Sequence, residues 1–101
     1  VLNIPNALDE TLYRGQLYAN HGGCGFFVPC VTRAEDITAI VRHVPLPLNV
    51  MCMPELADFS TLSALGVKRI SMGNFIHAAT QARLKDLLCQ VQANYSFSGV
   101  F

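Results

Sequence analysis

Residues 46–53 read Leu-Pro-Leu-Asn-Val-Met-Cys-Met, and no other stretch limits the fold as strongly. The run is short and apolar, with one polar residue, Asn49, and it is bounded by Pro45 and Pro47 before and Pro54 after. Such a run between turn signals predicts a strand buried on both faces. A buried amide needs hydrogen-bond partners or a ligand, which makes Asn49 the first candidate site residue. Similar runs lie at residues 24–28 and 67–72, and helical patterns separate all three. That alternation predicts a parallel sheet. In such sheets ligands gather at the carboxyl ends of the strands, here 28–30, 49–53 and 71–74.

The chain in order predicts helix, strand, helix, strand, helix, strand, helix. Residues 1–7 are irregular, with Pro5 and Asn6 as breakers. Asn6 is placed to cap a first helix whose opening turn carries Asp9 and Glu10. Gly22 or Gly23 ends that helix in a left-handed conformation, and mid-helix Gly15 implies close packing against a strand. Thr32 and Glu35 form a Thr-x-x-Glu capping box for a second helix carrying Ile37, Ile40, Val41 and Val44. Asp58 or Ser60 caps a short third helix near 59–65, with Leu62 and Leu65 inward and Gly66 at its end. Gly73 and Asn74 turn into a last helix from Phe75 to about Val91, striped by Ile76, Ala79, Ala82 or Arg83, Leu87 and Val91. The fold class is α/β, built of parallel βα repeats. Three parallel strands leave two edges with unpaired backbone groups, so residues 1–101 describe a partial domain of a larger sheet or barrel.

At 101 residues the chain holds one small domain. It is 51% hydrophobic and 14% charged, an apolar balance that implies buried parallel strands or surface hidden against something else. Seven Lys plus Arg offset seven Asp plus Glu, which removes the basic footprint of a nucleic-acid binder or of a protein held to an anionic membrane. No apolar run approaches the roughly 18 residues of a membrane span, and no secretion leader is seen. Cys24, Cys30, Cys52 and Cys89 form no Cys-x-x-Cys pair and have no His at zinc-ligand spacing. Buried unbridged thiols are expected, with a reducing, cytoplasmic location. The chain begins at Val1, and preceding residues are expected to be missing.

Three stretches are familiar together: Gly25-Phe26-Phe27-Val28-Pro29, Pro45-Leu46-Pro47-Leu48-Asn49-Val50-Met51 and Leu65-Gly66-Val67-Lys68-Arg69-Ile70-Ser71-Met72-Gly73. Their order and spacing, with 32–37 between the first two, resemble the C-terminal part of the isocitrate lyase and phosphoenolpyruvate mutase superfamily. The branch is the phosphonomutase-like, oxaloacetate decarboxylase-like or methylisocitrate lyase-like one, and the resemblance runs from about residue 8 to 88. It implies a (β/α)8 TIM barrel of which this chain holds strands six to eight. It also implies C–C or P–C bond chemistry beside a carboxylate, through an enolate-like pyruvate species stabilised by Mg²⁺. The family's metal-holding carboxylates belong to earlier strands, whereas Asp9, Asp36, Asp58 and Asp86 fall here on helices or their caps. The resemblance thus implies Mg²⁺ as cofactor, with its ligands and the catalytic residues outside this chain.

The same resemblance places Asn49 on strand seven near a substrate carboxylate, with a bond to barrel backbone or buried water as the alternative. Ser71, at the end of strand eight, could meet a carboxylate or phosphate, or bond neighbouring backbone. Gly73 and Asn74 precede a helix N-terminus, the geometry of an anion site. Pro29 agrees with the phosphonomutase-like branch, whereas members of the superfamily outside that branch carry Glu at this position. Cys30 stands where that branch often has Gly. Met51 and Met72 read as core filling or as an altered pocket. His21, His43 and His77 read as surface or capping residues. Lys68 and Arg69 open a strand, which places them at the stability face, far from the chemistry.

Three functions follow as expectations. The first is the C-terminal part of a Mg²⁺-dependent lyase or phosphonomutase-like enzyme acting on small 2-oxo or hydroxy carboxylates, inactive alone. The second is a truncated, non-catalytic protein that self-associates. The third is a small anion-binding α/β module. The expected partners are a small carboxylate and further copies of the chain, with the last helix exchanged between them, as the resemblance implies. No nucleic acid and no membrane is expected.

Overall fold

The hydrogen-bonding needs of the central apolar run shape the molecule. In a computed structural model, which describes residues 5–101, that run forms the middle strand of a three-stranded parallel sheet. The elements are α1 (Ala7–Asn20), β1 (Phe26–Val28), α2 (Ala34–His43), β2 (Leu48–Met51), α3 (Phe59–Leu65), β3 (Arg69–Ser71) and α4 (Phe75–Asn94). The first four of the seven residues expected to be irregular lie outside the described ones. Two compact units divide the chain, Val1–Ser71 and Met72–Phe101.

In the first unit the strands pair in chain order. Phe26, Phe27 and Val28 stand opposite Leu48, Asn49 and Val50. Asn49, Val50 and Met51 stand opposite Arg69, Ile70 and Ser71. A two-residue period sends Phe26, Leu48 and Val50 to one face, where they join Ile37, Ile40, Val44 and Leu62 in the core. The other face carries Phe27 and Arg69, which are exposed, and Asn49, Met51 and Ser71, which are half-buried. This corrects the expectation that β2 is buried on both faces. Its alternating burial reflects a core that packs against one side of the sheet. The first strand is also shorter than 24–28, because ladder bonding starts with Phe26 N–H donating to Pro47 O.

Helix ends follow local chemistry in part. Asn6 stands at the N-cap of α1 in the left-handed region, φ 68°, and its side chain makes no capping bond. The Thr32–Glu35 capping box does not form. The N-cap is Arg33, one residue later, without a side-chain cap, and the Glu35 carboxylate pairs instead with Arg33 at 3.6 Å. Asp58 rather than Ser60 caps α3, accepting from Thr61 N–H at 2.9 Å. Gly66 ends that helix at φ 98°, and Gly22 follows α1 at φ 88°. The Thr61 N–H, and secondarily the Ser60 hydroxyl, hold the Asp58 carboxyl below its ordinary range. A depressed carboxyl stabilises the fold above its unfolded pKa and stops doing so as pH falls through its folded pKa. Asp58→Ala is therefore expected to lower stability at neutral pH, and denaturant titrations of the two proteins should converge on strong acidification.

Gly15 packs where the sequence implied. It is buried in α1, and a Cβ there would lie 2.9 Å from Val44 Cγ1 and 3.0 Å from the Phe26 ring, with Val44 Cγ2 nearer still. Its main neighbour is thus the residue after α2, with the strand second. A β-branched neighbour has little freedom to yield. Gly15→Ala should gain helix propensity of about 1 kcal/mol and lose about 1–3 kcal/mol to overpacking. The expected net result is a lower urea midpoint with an unchanged slope.

The second unit is α4 with the residues around it. Gly73 precedes the helix at φ 57° and Tyr95 ends it at φ 47°. None of its residues is buried, and of the expected stripe only Leu87 and Val91 are half-covered. Ile76, Leu84 and Leu88 are exposed, because the apolar residues spread around the helix instead of forming one seam. No described helix is long and apolar enough to cross a membrane.

Candidate functional site

Two adjacent strand positions on the open face carry hydrogen-bonding side chains. Asn49 Nδ2 donates to Ser71 Oγ at 2.9 Å, and the Ser71 hydroxyl has Asn49 Oδ1 within 3.1 Å as an acceptor. The pair is diagonal across the β2–β3 ladder, since Asn49 stands opposite Arg69 and Ser71 opposite Met51. Both residues are half-buried. A primary amide has two N–H donors and two acceptor lone pairs, so this pairing leaves a donor and an acceptor for a ligand. Asn49 thus meets the side chain of another candidate rather than the backbone. Phe27 and Met51 flank the pair and give it an apolar rim.

Pro29 and Cys30 form the turn that ends β1. Proline followed by a positive φ, 69° at Cys30, is the arrangement of a type II turn, which favours Gly at that third position. A left-handed non-glycine residue costs roughly 1–2 kcal/mol. Cys30→Gly should therefore raise thermal stability slightly, after the chain entropy that Gly adds to the unfolded state. Thermal melts of the two proteins check this. Cys24 and Cys89 are exposed, and Cys30 and Cys52 half-buried, which corrects the expectation of four buried thiols. Cys24, Cys30 and Cys52 lie beside the strands and Cys89 lies on α4, none of them in the core. The four are not bridged to one another.

The remaining candidates divide between the units. Pro29, Asn49 and Ser71 belong to the first, and only Asn49 and Ser71 bond each other. Gly73 and Asn74 belong to the second, where the Asn74 side chain makes no capping bond to α4. Arg69 opens β3 as expected, and it also stands opposite Asn49 on the open face. Its spacing of two from Ser71 was the signal that could have shown this. On the core side, a groove of about 450 Å³ is lined by Cys52, Leu56, Phe59, Leu62 and Ile70 among others. Its polar members Asp58 and Ser60 are engaged with each other and in capping α3.

Among the described residues no three His, Cys, Asp or Glu side chains gather as a metal site. A hard cation such as Mg²⁺ takes carboxylate oxygens, and the open face offers an amide and a hydroxyl instead. The residues present do not fit that ion.

The parallel βα units, together with the solved structures they match, place the chain in the class of (β/α)8-barrel proteins, of which it holds a part. A sequence profile of the phosphoenolpyruvate phosphomutase family matches residues 1–92, and the chain belongs to that family. Among solved structures, it is similar to a protein of Burkholderia cenocepacia J2315 provisionally described as a lyase/mutase. The TM-score is 0.83 at 29% identity, covering 94% of this chain and 35% of that one. A second protein of the same organism, provisionally described as a phosphonomutase, matches with TM-score 0.76 at 37% identity, covering 82% and 33%. A phosphoenolpyruvate phosphomutase from Streptomyces platensis subsp. rosaceus shares the fold, with TM-score 0.77 at 20% identity over 92% and 34%. An uncharacterised Mycobacterium tuberculosis protein, in strains CDC 1551 / Oshkosh and H37Rv, is 32% identical over 70 residues, 69% of this chain. The chain spans 27% of the length of those curated relatives.

Proposed function

We propose that this chain is the C-terminal part of a lyase or phosphonomutase-like barrel enzyme acting on small 2-oxo or hydroxy carboxylates. Its open sheet face is the inner wall of that barrel, and its strand ends contact substrate. The Asn49–Ser71 pair carries the reading: it is a polar bond on the one sheet face that the core leaves open. The amide and hydroxyl hold a carboxylate or enolate oxygen by hydrogen bonds. Phe27 and Met51 limit water beside it. The ligands of any Mg²⁺ that the reaction uses would come from outside this chain. Family membership and the phosphonomutase-like neighbours support this reading. Pro29 is proposed as a further substrate contact in the first unit, and Gly73 and Asn74 as an anion contact within the second. Homo-oligomerisation through α4 and a cytoplasmic location are part of the proposal.

The test is a chimera in which this chain replaces the matching third of the Burkholderia phosphonomutase-like protein, assayed against oxaloacetate, methylisocitrate and phosphonopyruvate with Mg²⁺. A folded, active chimera that loses about 10²-fold or more with Asn49→Ala supports the reading. A folded chimera indifferent to Asn49→Ala and Ser71→Ala overturns it. The chain alone is expected to show no turnover that EDTA abolishes.

A further inference from the structure

The amide–hydroxyl pair has a charged neighbour. Arg69 is directly opposite Asn49 in the parallel register and two residues before Ser71 on the same strand. The two-residue strand period puts Arg69, Asn49 and Ser71 on one face. Neighbouring strands lie about 4.8 Å apart, and strand side chains lean along their strand. A long guanidinium stem therefore reaches the pair without leaving the face. Arg69 is exposed. Arg14 and Arg33 each have a carboxylate partner on their own helix or its cap, whereas Arg69 has no ion pair or side-chain hydrogen bond among the described residues. The rest of its face is Phe27, Met51, Asn49 and Ser71, with no carboxylate. A cation enclosed without a counter-charge is strongly unfavourable, so wherever this face is covered Arg69 needs a negative partner, from a ligand or from the covering residues.

We propose that Arg69, Asn49 and Ser71 form one carboxylate-binding strip, in which Arg69 supplies the charge and a forked donor while the other two fix the orientation. The ligand class is a small planar carboxylate, for which the guanidinium fork is geometrically matched. The inference rests on the reading of the open face as substrate-facing, and it adds a binding residue from the start of β3 to that face.

The test is a titration of the 101-residue chain with oxalate, without divalent cations, followed by amide and side-chain NMR shifts. Saturable shifts at residues 49, 69 and 71 are expected. Arg69→Gln should weaken binding about tenfold or more, as loss of a charged hydrogen bond does. Arg69→Lys should fall between, because it keeps the charge and loses the fork. Binding should weaken with added salt in the wild type and much less in Arg69→Gln. Because Arg69 is exposed, unchanged spectra of the unliganded variants serve as the folding control. If Arg69→Gln binds like wild type while Asn49→Ala abolishes binding, the substrate-facing reading stands and the role of Arg69 is overturned. If the wild type shows no saturable shift, both fall.

Discussion

Val50→Asp is expected to unfold the Val1–Ser71 unit altogether. Val50 is 0% exposed at the centre of the middle strand, within the cluster of Phe26, Ile37, Ile40, Leu48 and Leu62. The substitution forfeits roughly 1.5–3 kcal/mol of apolar burial, and it places a carboxylate where the core offers no partner, at a cost of several kcal/mol more. A unit of this size has roughly 5–10 kcal/mol of total stability, so the sum reaches the whole of it. Met51→Asp is the control. Met51 is the next residue, half-buried on the open face, and a carboxylate there keeps contact with water. Circular dichroism should show Val50→Asp without a cooperative melt and Met51→Asp with one. Equal damage from both would contradict the one-sided core.

That contrast also marks how far the sequence could be read. The order of elements and the parallel chain-order pairing were legible because apolar runs between prolines and glycines have few other solutions. Asp58 and Gly66 were legible because cap chemistry is local. Burial of β2 was misread for a physical reason. Leu48, Asn49, Val50 and Met51 are nearly all apolar, so composition alone cannot separate a strand covered on both faces from one that shows its second face to a missing neighbour. The Thr32–Glu35 box failed because the helix begins one residue too late for it. The Asn49–Ser71 bond spans 22 positions. Each residue was singled out separately, and only the register, which pattern reading does not deliver, could bring them together. Arg69 opens β3, as the sequence implies, and only the register adds that it shares a face with Asn49.

Leu88→Asp is expected to separate copies of the chain while leaving its fold intact. Leu88 is 61% exposed on α4, and Ile76 and Leu84 are exposed with it. A 20-residue helix with no buried residue gains little from tertiary packing, which is the usual source of helical stability in proteins. Further exposed aromatic residues follow it, Tyr95, Phe97 and Phe101. Apolar surface of this extent marks an interaction site, and the two open sheet edges add a second reason for association. A dimer or larger oligomer is therefore expected at micromolar concentration. In a monomer, Leu88→Asp would exchange one solvent-facing side chain for another and change stability by no more than about 0.5 kcal/mol. In an assembly that covers α4, it buries an unpaired carboxylate costing several kcal/mol, which raises the dissociation constant by about a hundredfold or more. Leu87→Asp, at a half-buried position, should weaken both assembly and fold. Sedimentation across a dilution series, with a thermal melt of each variant, separates these outcomes. A wild-type chain that stays monomeric at every concentration and melts cooperatively would show that α4 needs no second copy.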